Sequence, residues 1–143
     1  MDGASLITRL SDTGLFRMVG GAAEFGAAED TAPPTPSAFV LMLGEDSNAK
    51  PPFTSDSIQK VTRLYGVIQC VRNVRDASGA AATSALKDVR RPVLKQLIGW
   101  EPFAGGEPLI FMRGRLLKFQ SGLLWWQDDF LTTFYSSRDE PWA

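Results

Sequence analysis

The clearest periodicity in the chain lies within residues 81–134. Leu86, Val89, Val93 and Leu97 recur at helical spacing, so one apolar stripe runs along a helix covering about residues 80–98. Gly99-Trp100-Glu101-Pro102 ends it: Gly99 suits a left-handed C-cap, and Pro102 prevents the helix from resuming. Trp100, between them, is placed to pack back on the helix end. Pro92 falls inside the helix, which predicts a kink near Asp88. Residues 109–119 and 123–135 then alternate as the two arms of a hairpin around Gln120-Ser121-Gly122, with Gly114 marking a bulge. Successive strand side chains point to opposite faces, so Trp125 and Trp126 cannot enter the same core. One of the two faces solvent, a flanking element or a partner.

The first half of the chain is shorter-ranged. Leu6, Ile7 and Leu10 share a side of a short helix over residues 5–10, with Ser5 as N-cap and Asp12-Thr13-Gly14 as the closing turn. Residues 15–19 read as a first strand. Gly20-Gly21-Ala22-Ala23 continues it with almost no side-chain bulk, which suggests a bulge or a second backbone passing close by. The spacing of these glycines matches neither a phosphate-binding loop nor a dinucleotide fingerprint. Residues 26–37 read as a flexible loop stiffened by Pro33, Pro34 and Pro36. Residues 38–43 are apolar on both faces and read as a central strand. A second flexible loop over residues 44–57 holds Phe53 among polar neighbours, where it either plugs a neighbouring molecule or folds back on its own core. Residues 58–74 are rich in β-formers and long for one strand, so a bend near Gly66 is expected before the turn at 76–79. The tail, 136–143, is polar and loose apart from Trp142, which a neighbour can capture. The fold class that results is α+β: a single domain with a mixed or antiparallel sheet against a main helix from the C-terminal half and a short N-terminal helix.

Composition narrows the chemistry. The chain has 143 residues and 44% hydrophobic content, enough for one domain with a real core. Its 15 basic and 16 acidic residues leave a net charge of -1, which argues against a dedicated nucleic-acid binder. There is no histidine, which removes the commonest general base and metal ligand. A single cysteine, Cys70, excludes an internal disulfide or a thiolate metal cluster and suits a reducing cytoplasm. It lies in an apolar run, where a free cysteine acts as a small buried hydrophobe. The N-terminus lacks the basic start and apolar core of a signal peptide, and no apolar run has membrane-spanning length.

No catalytic constellation is apparent, and no cofactor or metal site is expected. Asp128 and Asp129 are adjacent on a strand, so their carboxylates diverge and cannot serve one substrate as an acid/base couple. Either belongs in a polar turn or beside Arg113 or Arg115. Lys87, Arg91 and Lys95 share one helix face, either solvated or docked to an acidic partner. The candidate residues for a subunit or partner interface are therefore Phe53, Trp100, Trp125, Trp126, Asp128, Asp129 and Trp142.

The order of the segments carries one further signal. A Leu-Ile-Thr-Arg-Leu helix precedes Phe16-Arg17-Met18-Val19-Gly20, a Pro-rich loop, and Ala38-Phe39-Val40 leading to Gly44-Glu45-Asp46. A strand with Gln59 and Val61 follows, then a helix ending in Leu97-Ile98-Gly99-Trp100-Glu101-Pro102. Pro108-Leu109, Gly114-Arg115-Leu116-Leu117 and Trp126-Gln127-Asp128-Asp129-Phe130 with Thr132-Thr133 complete the pattern. In this order, over nearly the whole chain, the sequence resembles the tail terminator proteins of tailed bacteriophages; Pro92 departs from the pattern. The resemblance implies a virion protein without enzymatic activity, assembled in the host cytoplasm. Such subunits form a hexameric ring that caps the head-proximal end of the tail tube and stops its polymerisation. They offer a surface to the head-tail connector in the neck, and DNA only passes through the lumen. The competing readings are another phage neck or head-completion adaptor, a small non-viral ligand-binding domain, and a monomeric host protein.

Overall fold

A computed structural model describes residues 3–47, 58–72, 80–137 and 141. In chain order the elements are α1 (Ala4–Ser11), β1 (Met18–Gly20), α2 (Ala22–Asp30), β2 (Ser37–Ser47), β3 (Gln59–Arg72), α3 (Ala80–Leu97), β4 (Ile110–Gln120) and β5 (Leu123–Ser136). The strands form one sheet in the order β1-β2-β3-β5-β4, parallel between β1 and β2 and antiparallel elsewhere. The chain is thus an α+β domain with helices on both faces of a mixed sheet.

One face is covered by α1 and α3. Leu6 and Leu10 of α1 and Val93 and Leu97 of α3 pack on Val40, Tyr65, Val67 and Phe130. Farther along α3, Ala82, Leu86 and Val89 pack on Val71 and Leu124. The helical stripe read from the sequence is therefore the buried face of α3, which runs through Pro92. Lys87, Arg91 and Lys95 lie on its exposed side. Gly99 follows the helix at φ 81, a left-handed conformation that costs glycine nothing. The Gly99 N–H donates to Leu109 O at 2.8 Å, and the Leu109 N–H donates to Trp100 O at 2.9 Å, which delivers the chain into β4.

Among the described residues, α2 alone covers the opposite face. Phe25 and Ala28 close on Phe39, Ile68, Cys70 and Trp125. The Phe25 ring lies 5.6 Å from that of Phe39 and 6.0 Å from that of Trp125. Helix α2 corrects the expected continuation of the first strand through Ala23 and the expected loop from residue 26. Its alanines are strong helix formers, and with only Phe25 and Ala28 packed inward its amphipathic pattern is faint. The two glycines serve its first turn. A Cβ on Gly20 would stand 2.6 Å from Glu24 Cβ, and the Gly21 N–H donates to Glu24 Oε2 at 3.0 Å.

Five other expectations shift. Gly3, at φ 99, takes the N-cap of α1, so Ser5 lies inside the helix. Strand β2 extends through Ser47, so residues 44–47 are strand and only 48–57 lie outside the described residues, as does the turn at 76–79. Likewise, Ser136 ends β5 rather than opening a loose tail. The irregularity expected at Gly66 sits instead on β2, between Met42 and Gly44, opposite Tyr65 and Leu64. Gly66 stays in register, because a Cβ there would meet Leu43 Cδ1 at 3.0 Å and Gln127 Nε2 at 3.2 Å. On β4 the register shifts fall at Met112 and Leu117 rather than at Gly114. Ser121 and Gly122 link the hairpin with φ 55 and 75, the two positive values of a tight primed turn.

Gly114 is instead a point of close approach. A Cβ there would lie 2.6 Å from Asp128 Oδ1, 2.9 Å from Arg90 Nη2 and 2.9 Å from Trp126 Cζ2. Gly114→Ala is expected to destabilise the fold by about 1–3 kcal/mol in urea unfolding, the usual cost of overpacking a tight site. Gly26→Ala is the control. Gly26 lies exposed in α2, and a Cβ added there would meet nothing within 4 Å, so its replacement is expected to stabilise by about 0.5–1 kcal/mol.

Candidate functional site

The structure separates the sequence-derived candidates into two groups. Asp128 and Trp126 point to the α3 face of β5, and Asp129 and Trp125 to the α2 face. Asp128 is fully buried and accepts from three side chains. Gln69 Nε2 donates to Oδ2 at 2.8 Å, and Trp126 Nε1 to Oδ1 at 2.9 Å. Arg90 closes the ring of donors: its Nε lies 3.0 Å from Oδ2, and its Nη2 lies 3.0 Å from Oδ1. This bidentate pair joins α3 to β5, while Gln69 ties in β3. Arg90 is a partner that sequence spacing did not suggest, because it lies on a different element.

Asp129 is also buried, and its donors are Arg113 Nε at 2.8 Å and Gln127 Nε2 at 2.7 Å. Arg113 is thus the cross-strand charge partner anticipated for this pair. Each carboxylate is filled by its own donors, on opposite faces, so the two do not converge on a shared substrate position.

The aromatic candidates follow the same logic. Trp125 is buried under α2, its ring stacked 6.3 Å from Phe39, and Lys118 Nζ lies 5.0 Å from its centroid. Trp126 is half-buried beneath Arg90, whose guanidinium carbon lies 5.0 Å from the indole. Trp100 is half-buried at the end of α3 under Arg9, at 4.6 Å. Phe53 and Trp142 lie outside the described residues.

What the pattern of the sequence did not single out is the exposed side of β4. This edge strand presents Ile110, Phe111, Met112, Leu116, Leu117 and Phe119 to solvent, with Ile110, Met112 and Leu116 each about half exposed (52%, 51% and 54%). Helix α3 packs mainly against β3 and β5 and reaches this strand through Arg90, which lies beside Gly114 and Phe111. The available signal was the apolar run itself, which reads as core until the two register shifts and the uncovered edge are seen. An exposed apolar strip of this length is the mark of an interaction surface.

Other features offer no chemistry of comparable strength. An open groove of about 460 Å³ between α1 and α3 is lined by Ser5, Thr8, Arg9, Asp12, Gln96 and Trp100. Arg9 is already engaged there, since its Nε donates to Gln96 O at 2.7 Å. Arg63 is buried and held by Glu45 and Tyr65. Burial disfavours its charge, but those two partners outweigh burial and raise its pKa. Among the described residues no group of three acidic, histidine or cysteine side chains is placed to hold a metal ion, and no helix is long and apolar enough to cross a membrane.

Comparison with known proteins places this geometry in context. A family model described as phage tail terminator protein matches residues 1–140. A solved structure described as the virion of a native gene transfer agent particle is similar, with a TM-score of 0.48 at 17% identity. That similarity covers 82% of this chain and 78% of the other. No curated protein matches the sequence.

Asp128, Asp129 and Cys70 each carry an expected outcome. Asp128→Ala strands Arg90, Trp126 and Gln69 and should cost about 3 kcal/mol in urea unfolding, at the low end for a broken buried pair because Arg90 is partly exposed. Asp129→Ala should cost less, since Arg113 is 61% exposed and can be solvated. Burial pushes the Cys70 thiol up to about 12, against a weaker opposing pull from Arg72 and Lys118. Its thiolate is therefore about a thousandfold scarcer at pH 8 than that of an ordinary cysteine, and iodoacetamide should label it only in denaturant. Folded-state protonation also makes its contribution to stability present below pH 9 and lost as pH rises from there toward 12.

Proposed function

The chain belongs to the phage tail terminator protein family and is a structural virion protein of the tail, and we propose that it forms the ring that caps the head-proximal end of the tail tube. The observation that carries this reading is the uncovered β4 strip, six large apolar side chains along the edge of a sheet. A subunit of a closed ring needs a surface of this kind, because each copy must bury a patch against its neighbour. Ring closure ends tube polymerisation on one side and presents a joint to the head-tail connector on the other. The partners are therefore other copies of this chain, most simply six, together with the tail tube protein and the connector.

The residues fit a mechanical role. Asp128, Asp129 and Trp125 act inside the subunit by holding β5, the strand that presents β4. Trp100 and Trp126, half-buried at the rim, remain interface candidates, and Phe53 and Trp142 are proposed with them. The near-neutral net charge suits a lumen through which DNA moves without being held. No step of this role calls for catalysis, a cofactor or a membrane.

Light scattering over a concentration series, with and without purified tail tube protein, tests the reading. A sixfold mass, alone or on tube ends, together with arrest of tube elongation, is the expected result. A strict monomer that leaves tube elongation untouched would sink the proposal, and binding to connector alone would make the chain a neck adaptor. Leu116→Glu is expected to abolish the ring while leaving the far-ultraviolet circular dichroism of the subunit unchanged, because Leu116 is exposed.

A further inference from the structure

The sheet has two open edges that differ in kind. On one side β4 has no described strand beyond it. On the other, β1 pairs with β2 only at Ser37, Ala38 and Phe39, so no described strand pairs with residues 41–47 on that outer side. Both open stretches expose large apolar side chains: Met42 is 48% and Leu43 40% accessible, comparable to those of β4. Their charges are opposite. Strand β4 carries Arg113, Arg115 and Lys118 and no acid; residues 41–47 carry Glu45 and Asp46 and no base. Glu45 is bound to Arg63, and Arg113 to Asp129, which leaves Asp46 and Arg115 as exposed charges on strands of opposite sign.

We infer that β4 of one copy pairs edge to edge with residues 41–47 of β2 in the next copy, joining their sheets. This rests on the ring reading above and names the surfaces that meet. The topology fixes the sense of the junction. Strand β2 is antiparallel to β3, β3 to β5, and β5 to β4, so β2 and β4 run in opposite directions within one subunit. Rotation about a ring axis preserves the sense of any strand component along that axis. The β4 of one copy therefore meets the neighbour's β2 antiparallel, the arrangement with the better ladder geometry. The same charges disfavour the alternatives. A β4–β4 contact brings Arg113, Arg115 and Lys118 against their own copies, and a β2–β2 contact does the same with Glu45 and Asp46. An unlike pair of edges leaves each added copy with a fresh β4 and a fresh β2, which is the condition for a head-to-tail ring. Strand β1 limits the overlap, since it already occupies Ser37 to Phe39.

Disulfide trapping tests the pairing on the full chain. Cys70 is fully buried and stays silent, so engineered cysteines report alone. Met42→Cys is combined in turn with Ile110→Cys, Met112→Cys, Leu116→Cys and Phe119→Cys, each variant first checked for native circular dichroism and for ring mass. Across paired edge strands, facing Cα atoms approach to about 4.5–5.5 Å, within disulfide reach. The expected result is a non-reducing ladder that climbs to the full ring for at least one combination, with each single-cysteine variant remaining a monomer band. Rings of normal mass with no ladder from any combination would overturn the pairing while leaving the ring intact. Dimers from Met42→Cys alone, or from a β4 cysteine alone, would overturn it in favour of like-with-like contact. Absence of any oligomer, with or without tube protein, would remove the ring reading first and the pairing with it.

Discussion

The Asp128 carboxylate is the interaction on which the subunit depends. A fully buried charge is tolerated only when it is paired and hydrogen-bonded. Here they come from Arg90 on α3, Gln69 on β3 and Trp126 on its own strand, so the main helix and the two central antiparallel strands are fixed relative to one another by one group. Hydrophobic contacts between α3 and the sheet have no such directionality. Leu86, Val89 and Val93 favour burial of the helix, but the two-pronged Arg90 contact selects a single placement along it. Gly114 on β4 is the fourth participant. Its missing side chain admits the carboxylate and the guanidinium together, so the edge strand is drawn into the same arrangement.

That arrangement explains why β4 is left uncovered. Arg90 stands between the indole of Trp126, at 5.0 Å, and the ring of Phe111, at 5.8 Å. The helix reaches β5 through this side chain and ends its coverage there. Phe111 still touches the core through Phe130, at 6.0 Å, whereas Leu116 and Phe119 extend past it. On the other face α2 is short and anchored over Phe39 and Trp125, and only its C-terminal end borders β4, at a groove it shares with Lys118 and Gln120. The sheet is therefore wider than the helices that cover it, and the excess falls on the strand with the longest open edge.

Much of this was legible in the residues. The α3 stripe, the Gly99 stop, the hairpin and the divergence of Trp125 from Trp126 all follow from periods and turn chemistry that local sequence determines. Helix α2 was not legible, because alanine and glycine give a helix without an apolar stripe, and two preceding glycines imitate a strand bulge. Strand β2 past Leu43 was hidden for a related reason: Gly44, Glu45 and Asp46 read as loop, yet Glu45 is held on the sheet by Arg63 from β3. The sequence reading of the interface rested on the tryptophans and did not single out β4. Large aromatics mark both cores and interfaces, and sequence alone does not say which neighbours cover them. Once α2 accounts for Trp125 and Arg90 for Trp126, the exposed apolar side chains of β4 are the larger surface that remains.

The size of that remainder bears on how a cap can form only when wanted. Full burial of a large apolar side chain contributes roughly 1.5–3 kcal/mol, so half a dozen already half-buried ones contribute roughly 5–9 kcal/mol. Bringing two molecules together costs about 4–15 kcal/mol, which leaves a single edge contact near balance. In the proposed ring every copy makes two contacts, and the last contact closes without a further association cost. Partial assemblies are then unstable relative to both the free subunit and the closed ring. A tube end that holds several copies side by side removes much of the same cost in advance. On the ring reading, the surface left over by the geometry of Asp128 and Arg90 would hold copies weakly one to one and lock them once a ring can close.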